Sequence, residues 1–502
     1  MAAPTQTFVS KNIYYIVLLV CCIPLFFLNI HSTHEIGGDD FAQYIKEAKN
    51  IAEGKPYYLS GYIFNPYNNI YAPPQYPPGF PLLIAPVVKM FGIAIRPLCY
   101  FNTILTVILA FSFFEYMRKY MSRLAAICIS ILVVYSYMIL DHKQCIFSDM
   151  PNMLLILLYM IFRNSKTFPW YRILLLVLFA SMAMLTRTQS VLVIVAEGIY
   201  LLLAFIKESI ARRKIYFDRA SLMPSVYIIA GSVLLTLFLY KVVFYCPTPA
   251  AGFYSDYLLH SLHNGIGHMI DENAGFLPEA IQRPFYYEAD AGIDTAIAAV
   301  IQGAALAMCV AGFLYSVSRR LSFDDIFFVL SCGLIVSYLV HDTRFFMPAI
   351  SILYYYCYTV LAKVLPVLTR IRLRYIGLGI TALCLYIGSA YIKKAEKDLP
   401  GGAPQKQDYQ AFSYLSTHIS DTDVILCAGP RFLTLYTDKK YMIYAWQMSV
   451  EENKRVCDSM HVDYVLNMYG INGDFFRAYL ALANPTDSVN IANGYVLYKL
   501  GK

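Results

Sequence analysis

The chain has 502 residues, of which 58% are hydrophobic and 15% charged, and its mean hydropathy is +0.51. That balance excludes an ordinary soluble protein and points to an integral membrane one. The formal net charge of +7 does not indicate nucleic acid, because the basic residues gather in short loops between apolar runs.

In chain order, the first apolar run, residues 12–30, is long and lacks a small-residue cleavage site after it. It therefore reads as a transmembrane helix rather than a signal peptide. Further spans are expected near 97–117, 124–140, 149–162, 170–186, 189–206, 222–245, 293–316, 324–340, 345–363 and 375–391, about eleven in all. The stretch 80–95 is apolar but short and holds prolines, so a re-entrant or interfacial helix is expected there, with a full span as the alternative. Every second loop is basic: Arg118, Lys119 and Arg123; Arg163, Lys166 and Arg172; Arg212, Arg213 and Lys214; Arg319 and Arg320; Arg370, Arg372 and Arg374. This pattern puts those loops and the N-terminus in the cytoplasm. The first loop (31–79), the acidic loop 246–292 and the C-terminal region then face outward.

Residues 393–407 are a polar linker. Beyond it, 408–502 alternates amphipathic helical patterns with short β-like runs such as DVILCAG and DYVLNMYG, the mark of a small α/β domain. The expected architecture is thus a polytopic helical membrane domain over 1–392 followed by an extracytoplasmic α/β domain. The chain's 12 cysteines form no metal-binding pattern, and Cys427 and Cys457 in the last region read as free thiols.

The first loop carries the sharpest signal. Gly37-Gly38-Asp39-Asp40 opens an amphipathic helix with apolar Phe41, Tyr44, Ile45, Ala48 and Ile51, and the loop ends in the proline-rich APPQYPPGFP before re-entering the membrane. Three polar groups recur at the outer ends of expected spans: SDMP (148–151), TRTQ (186–189) and HDTRFFMP (341–348). Asp39, Asp40, Asp149, Arg187, His341, Asp342 and Arg344 are therefore expected at one membrane face. Charges beside hydrocarbon are costly, so such a set suggests a site. From the residues alone, Asp39 is good helix-capping chemistry, Asp40 suits the helix dipole, Asp149 could cap the fourth span, and Arg187 sits in a tight turn.

This layout resembles the GT-C superfamily of membrane glycosyltransferases, and within it the bacterial relatives of the protein O-mannosyltransferases and of the lipid A aminoarabinose transferase. DDFAQY (39–44) resembles an Asp-Glu-x-x-Tyr signature, with Asp in place of Glu and one residue more before the tyrosine, and SDMP, TRTQ, RFFMP and PRFLTLYT (430–437) resemble later motifs in order. In the aminoarabinose branch a lysine precedes the Pro-Pro turn, and Tyr76 stands there instead. The resemblance implies sugar transfer from a polyprenyl-phosphate donor to an extracytoplasmic glycolipid, polysaccharide or protein. Asp39 would be the general base, with Asp40 and Asp149 as further catalytic acids. Arg344, Arg187 and Tyr76 would meet the donor phosphate, and Tyr44, His341 and Asp342 the substrate. The resemblance makes no cofactor certain. A divalent metal is not favoured, since the histidine sets around His31 and His260 read as solvated. The alternative is a transporter or flippase of polyprenyl-linked sugars. A polyprenyl-diphosphate donor is a variant of the enzyme reading.

Overall fold

A computed structural model describes residues 8–28, 30–31, 40–65, 67–68, 73, 75–164, 167–214, 219–247, 267, 275–285, 295–337, 342–364, 404, 406–445 and 447–501. The expected span at 375–391, the linker and most of the loop 246–292 lie outside them. The chain forms two compact units. One draws on residues 1–30, 99–243 and 258–399, the other on 31–98, 244–257 and 400–502.

The first unit is helical. Its elements are α1 (Phe8–Cys22), α4 (Ile95–Met117), α5 (Arg123–Val134), α6 (Tyr137–Gln144), α7 (Asp149–Arg163), α8 (Trp170–Thr186), α9 (Val191–Ala211), α10 (Arg219–Phe238), α11 (Phe276–Gln282), α12 (Thr295–Arg319), α13 (Phe323–Ser337) and α14 (Ile350–Thr359). Helices α7 and α10 pack on α8, α13 on α9, and α14 on α12. The last contact is close because Gly312 has no side chain: a Cβ there would lie 2.3 Å from the Tyr356 carbonyl oxygen. Outward-facing apolar side chains such as Leu234 (67% exposed) and Val300 (72%) suit a hydrocarbon surround rather than water.

Among the described residues, five helices are long and apolar enough to cross a membrane, or six if the pair α5–α6, bent by 52°, is one broken span. Helices occur at each expected span that falls on described residues. However, α7 and α13, with 15 residues each, rise only roughly 23 Å against a hydrocarbon core of about 30 Å. The expected continuous span 124–140 breaks at Tyr135–Ser136, where Ser136 turns to extended backbone (ψ 151°). Helix start signals are conventional: Ser322 Oγ accepts from the Asp325 amide at 3.2 Å, while Asp325 Oδ2 accepts from the Ser322 amide at 2.8 Å.

The second unit holds α2 (Asp40–Ala52), strand β1 (Tyr62–Ile63) and α3 (Gly79–Phe91) from the first loop. From the C-terminal region it holds α15 (Lys406–His418), β2 (Val424–Cys427), α16 (Pro430–Thr437), β3 (Lys440–Met442), α17 (Val450–Ser459), β4 (Val462–Met468), α18 (Gly473–Ala483), β5 (Asp487–Ala492) and β6 (Tyr495–Lys499). The six strands lie in the order β1-β3-β2-β4-β6-β5. Strands β1 to β4 pair in parallel, and β6 pairs antiparallel with both β4 and β5. Cys427 and Cys457 are both buried.

The first loop thus contributes an edge strand to the C-terminal sheet, in register Tyr62↔Tyr441 and Ile63↔Met442. The sequence assigned the two segments to separate domains. Their union rests on a glycine: Gly61 has φ +83°, and a Cβ on it would meet the Lys439 carbonyl oxygen at 2.6 Å. Helix α3, with 13 residues, is too short to span, and it packs on α2 in this same unit.

Candidate active site

In the second unit, the buried apolar face of α2 (Phe41, Tyr44, Ile45, Ala48) packs on α3 and α16. This seating fixes the direction of Asp40, the first residue of the helix. Asp40 Oδ1 accepts a hydrogen bond from the Tyr76 hydroxyl at 2.6 Å and lies 3.3 Å from Arg431 Nη1. Arg431, from α16, is fully buried. Its Nη1 also donates to the Tyr76 hydroxyl (3.2 Å) and its Nη2 to the Pro73 carbonyl (2.5 Å). The guanidinium stands 5.0 Å from the Tyr62 ring centre and 5.2 Å from that of Tyr76. Tyr44 is buried in the same packing, stacked on Tyr76 at 4.3 Å and edge-on to Phe80 at 5.0 Å. Asp39 lies outside the described residues.

Below this cluster Glu47 is fully buried. Its Oε1 accepts from Gln43 Nε2 (2.8 Å) and from the Tyr76 amide (2.9 Å), whereas Oε2 has no hydrogen-bond partner among the described residues. Burial pushes this carboxyl up from the usual 4.5 to about 8, so Glu47 is protonated at neutral pH. A raised carboxyl pKa sets the sign of the linkage. Between about 4.5 and 8 the unfolded chain releases this proton and the folded chain keeps it, so stability falls as pH rises through that window. Glu47→Gln, neutral at all pH, should gain thermal stability over wild type at pH 8 while differing little at pH 4.5. Melting of both purified proteins at the two pH values tests this, and a gap that does not widen with pH rules it out.

The first unit holds a separate polar group. Asp149, the first residue of α7, is 1% exposed. Its Oδ1 accepts from Arg187 Nη1 at 2.6 Å, and its Oδ2 has no partner among the described residues. The carboxylate is therefore engaged by Arg187 rather than by capping α7. Arg187 Nη1 also donates to Ser148 Oγ at 3.3 Å. Asp342 Oδ1 accepts from the Arg344 amide (2.9 Å), and its Oδ2 lies 2.6 Å from Arg344 Nε. The Phe345 ring joins the two halves, with the Arg187 guanidinium 5.2 Å and the Arg344 guanidinium 5.7 Å from its centre. Phe147 backs Arg344 at 5.6 Å. Asp149, Arg187, Asp342 and Arg344 thus come together, and His341 lies outside the described residues.

Sequence reasoning did not single out Glu47, Phe345 or Arg431. Arg431 stands within PRFLTLYT, but no local pattern marks it as buried. Among the described residues, no three His, Cys, Asp or Glu side chains are placed to hold a metal ion. His31, expected to be solvated, is buried.

No protein-family model matches the sequence, and no curated protein does. Solved structures do. The chain matches the Archaeoglobus fulgidus oligosaccharyltransferase AglB, solved with an inhibitory peptide and a dolichol-phosphate, at TM-score 0.55 and 12% identity over 95% of this chain and 72% of that one. The apo form of that enzyme matches at TM-score 0.57 and 13% identity, with the same coverage. ArnT from Cupriavidus metallidurans bound to undecaprenyl phosphate matches at TM-score 0.54 and 11% identity, over 97% of this chain and 98% of that one. At these identities the likeness is one of fold: this chain shares the fold of AglB and ArnT.

Proposed function

We propose that this chain is a membrane glycosyltransferase that moves a sugar from a polyprenyl-phosphate donor to an acceptor outside the cytoplasm. The observation that carries the reading is the pair Arg187 and Arg344, gathered on Phe345 beside buried Asp149 in the fold shared with AglB and ArnT. Two cations at the ends of membrane helices suit a lipid phosphate, which is dianionic when it leaves. The matching AglB and ArnT structures were solved with dolichol-phosphate and undecaprenyl phosphate, a donor chemistry in keeping with this reading.

In the proposed reaction an acceptor hydroxyl oxygen bonds to the anomeric carbon as the bond from that carbon to the phosphate oxygen breaks. Asp39 takes the hydroxyl proton, with Asp40 beside it in sequence. Arg344 and Arg187 neutralise the charge that collects on the leaving phosphate, and Tyr76 is a further phosphate contact. Tyr44, His341 and Asp342 are the proposed substrate contacts. The transporter alternative would use ionisable groups deep in the spans. The expected spans are mostly free of such groups, and Glu197, near the end of its span, is bound by Arg163 at 2.9 Å, Tyr159 at 2.9 Å and Ser225 at 2.5 Å, which suits a helix tie better than a moving charge.

The direct test is mass spectrometry of envelope glycolipids and glycoproteins from a strain lacking the protein. One glycan should lose a single sugar, restored by the wild-type gene; an unchanged envelope removes the reading. The basic loops carry the accompanying proposal that the C-terminal region lies outside a bacterial inner membrane, with the N-terminus in the cytoplasm. Alkaline phosphatase fused to the C-terminus should be active, and an inactive fusion with a fluorescent green counterpart would reverse the orientation.

A further inference from the structure

In the first unit, the head of α7 is tied to the turn between α8 and α9 at two points. Asp149 Oδ1 accepts from Arg187 Nη1 at 2.6 Å, and Asn152 Oδ1 accepts from Ser190 Oγ at 2.5 Å. Asp149 and Asn152 stand three residues apart, on one face of the helix. Gln189 lies between the two anchors, in the 3₁₀ turn Thr188–Ser190. These three side chains carry four buried polar atoms with no hydrogen-bond partner among the described residues: Asp149 Oδ2, Asn152 Nδ2, and both Oε1 and Nε2 of Gln189. Glu197, by contrast, accepts at both of its carboxylate oxygens. An unpaired buried polar atom destabilises the free protein, so several at one joint call for a ligand that pairs them.

We propose that Asp149, Asn152 and Gln189 form a subsite that reads two neighbouring hydroxyls of an uncharged donor sugar, an inference that rests on the glycosyltransferase reading above and names its class of sugar. The unpaired atoms set the chemistry. Asp149 Oδ2 and Gln189 Oε1 accept, while Asn152 Nδ2 and Gln189 Nε2 donate. A hydroxyl does both, so two hydroxyls on one ring use all four atoms. Arg187 already neutralises Asp149, so the remaining carboxylate oxygen takes a hydroxyl proton without calling for a cation. The ring is the donor's because Arg187, at the start of the turn, is a proposed contact of the donor phosphate, and the sugar is joined directly to that phosphate. Thr188 and Gln189 are half-buried, and rotation of the Gln189 side chain admits the ring edge.

The experiment follows thermal unfolding of the full-length protein in detergent against lipid concentration. The probes are undecaprenyl phosphate alone and the same lipid carrying glucose, galactose, mannose or, as a cationic sugar, glucosamine. With wild type, at least one neutral sugar should lower the half-saturating concentration roughly 10–100-fold below that of the bare lipid, the scale of a few net hydrogen bonds, and glucosamine should gain less. Gln189→Met, similar in volume but without hydrogen bonds, should lose the sugar's advantage and keep the bare lipid's half-saturation. Without lipid it should melt no lower than wild type, and by roughly 1–2 °C higher, because two unpaired polar atoms are gone. Asn152→Leu should likewise lose the sugar's advantage; where it does not accumulate, Gln189→Met decides alone. No gain from any neutral sugar, a greater gain from glucosamine, a sugar advantage that survives in Gln189→Met, or a Gln189→Met protein that melts well below wild type overturns the proposal and leaves the enzyme reading intact. A wild-type protein that none of the lipids stabilises, the bare one included, overturns that reading, and the proposal with it.

Discussion

Asp39→Asn should insert and purify like wild type, bind polyprenyl-phosphate lipid, and lose sugar transfer by a factor on the order of 10²–10⁴, the usual contribution of a positioned general base. The substitution separates two roles. Asn caps a helix about as well as Asp but accepts no proton at neutral pH. If Asp39 only started α2, Asp39→Asn would be nearly silent. Asp39→Ala should lose transfer and in addition roughly 1 kcal/mol of stability from the missing cap. Asp40→Asn measures the neighbour, whose carboxylate is engaged by Tyr76 and Arg431. The measurement is product formation in membranes at matched protein levels. Near-wild-type transfer in Asp39→Asn would move the base elsewhere, with Asp149 the next candidate.

Arg187→Met should destabilise the protein strongly, even with no donor present. The substitution leaves the Asp149 carboxylate, 1% exposed, without the guanidinium 2.6 Å away. Breaking one side of a buried pair costs about 3–5 kcal/mol, because the remaining charge stays desolvated. The second substitution Asp149→Asn should return most of that loss, since it removes the stranded charge. Thermal unfolding of the detergent-purified single and double variants reads both effects. If Arg187→Met melts with wild type and only its affinity for added polyprenyl phosphate drops, Arg187 serves the donor alone and the pair does not brace the helix ends. Arg344 differs in this respect: its partner Asp342 is 32% exposed, so water can replace the lost cation there, and the stability cost should be small.

The sequence by itself determined the membrane class, the positions of the helices on described residues, and the polar punctuation at their ends. These are one-dimensional properties. A run of apolar residues is helical wherever hydrocarbon surrounds it, because every backbone group must be paired within the segment. SDMP begins α7 and TRTQ follows α8 because Pro, Asp and Thr mark helix ends locally. The same local logic read the amphipathic helix after Asp39 correctly as α2 (Asp40–Ala52), and the short apolar stretch after it as a helix that does not span.

Only the tertiary structure decided what those end residues touch. Arg187 meets Asp149 across 38 positions, and Arg431 meets Asp40 across 391; no periodicity encodes a contact at that separation. The edge strand β1 has only two residues, too few to show an alternation, and it exists because β3 offers it a ladder. Glu47 looks in sequence like one more polar residue on an amphipathic helix. It is the packing of α2 against both α3 and α16 that closes its polar side, strips the carboxylate of water and keeps its proton on at neutral pH.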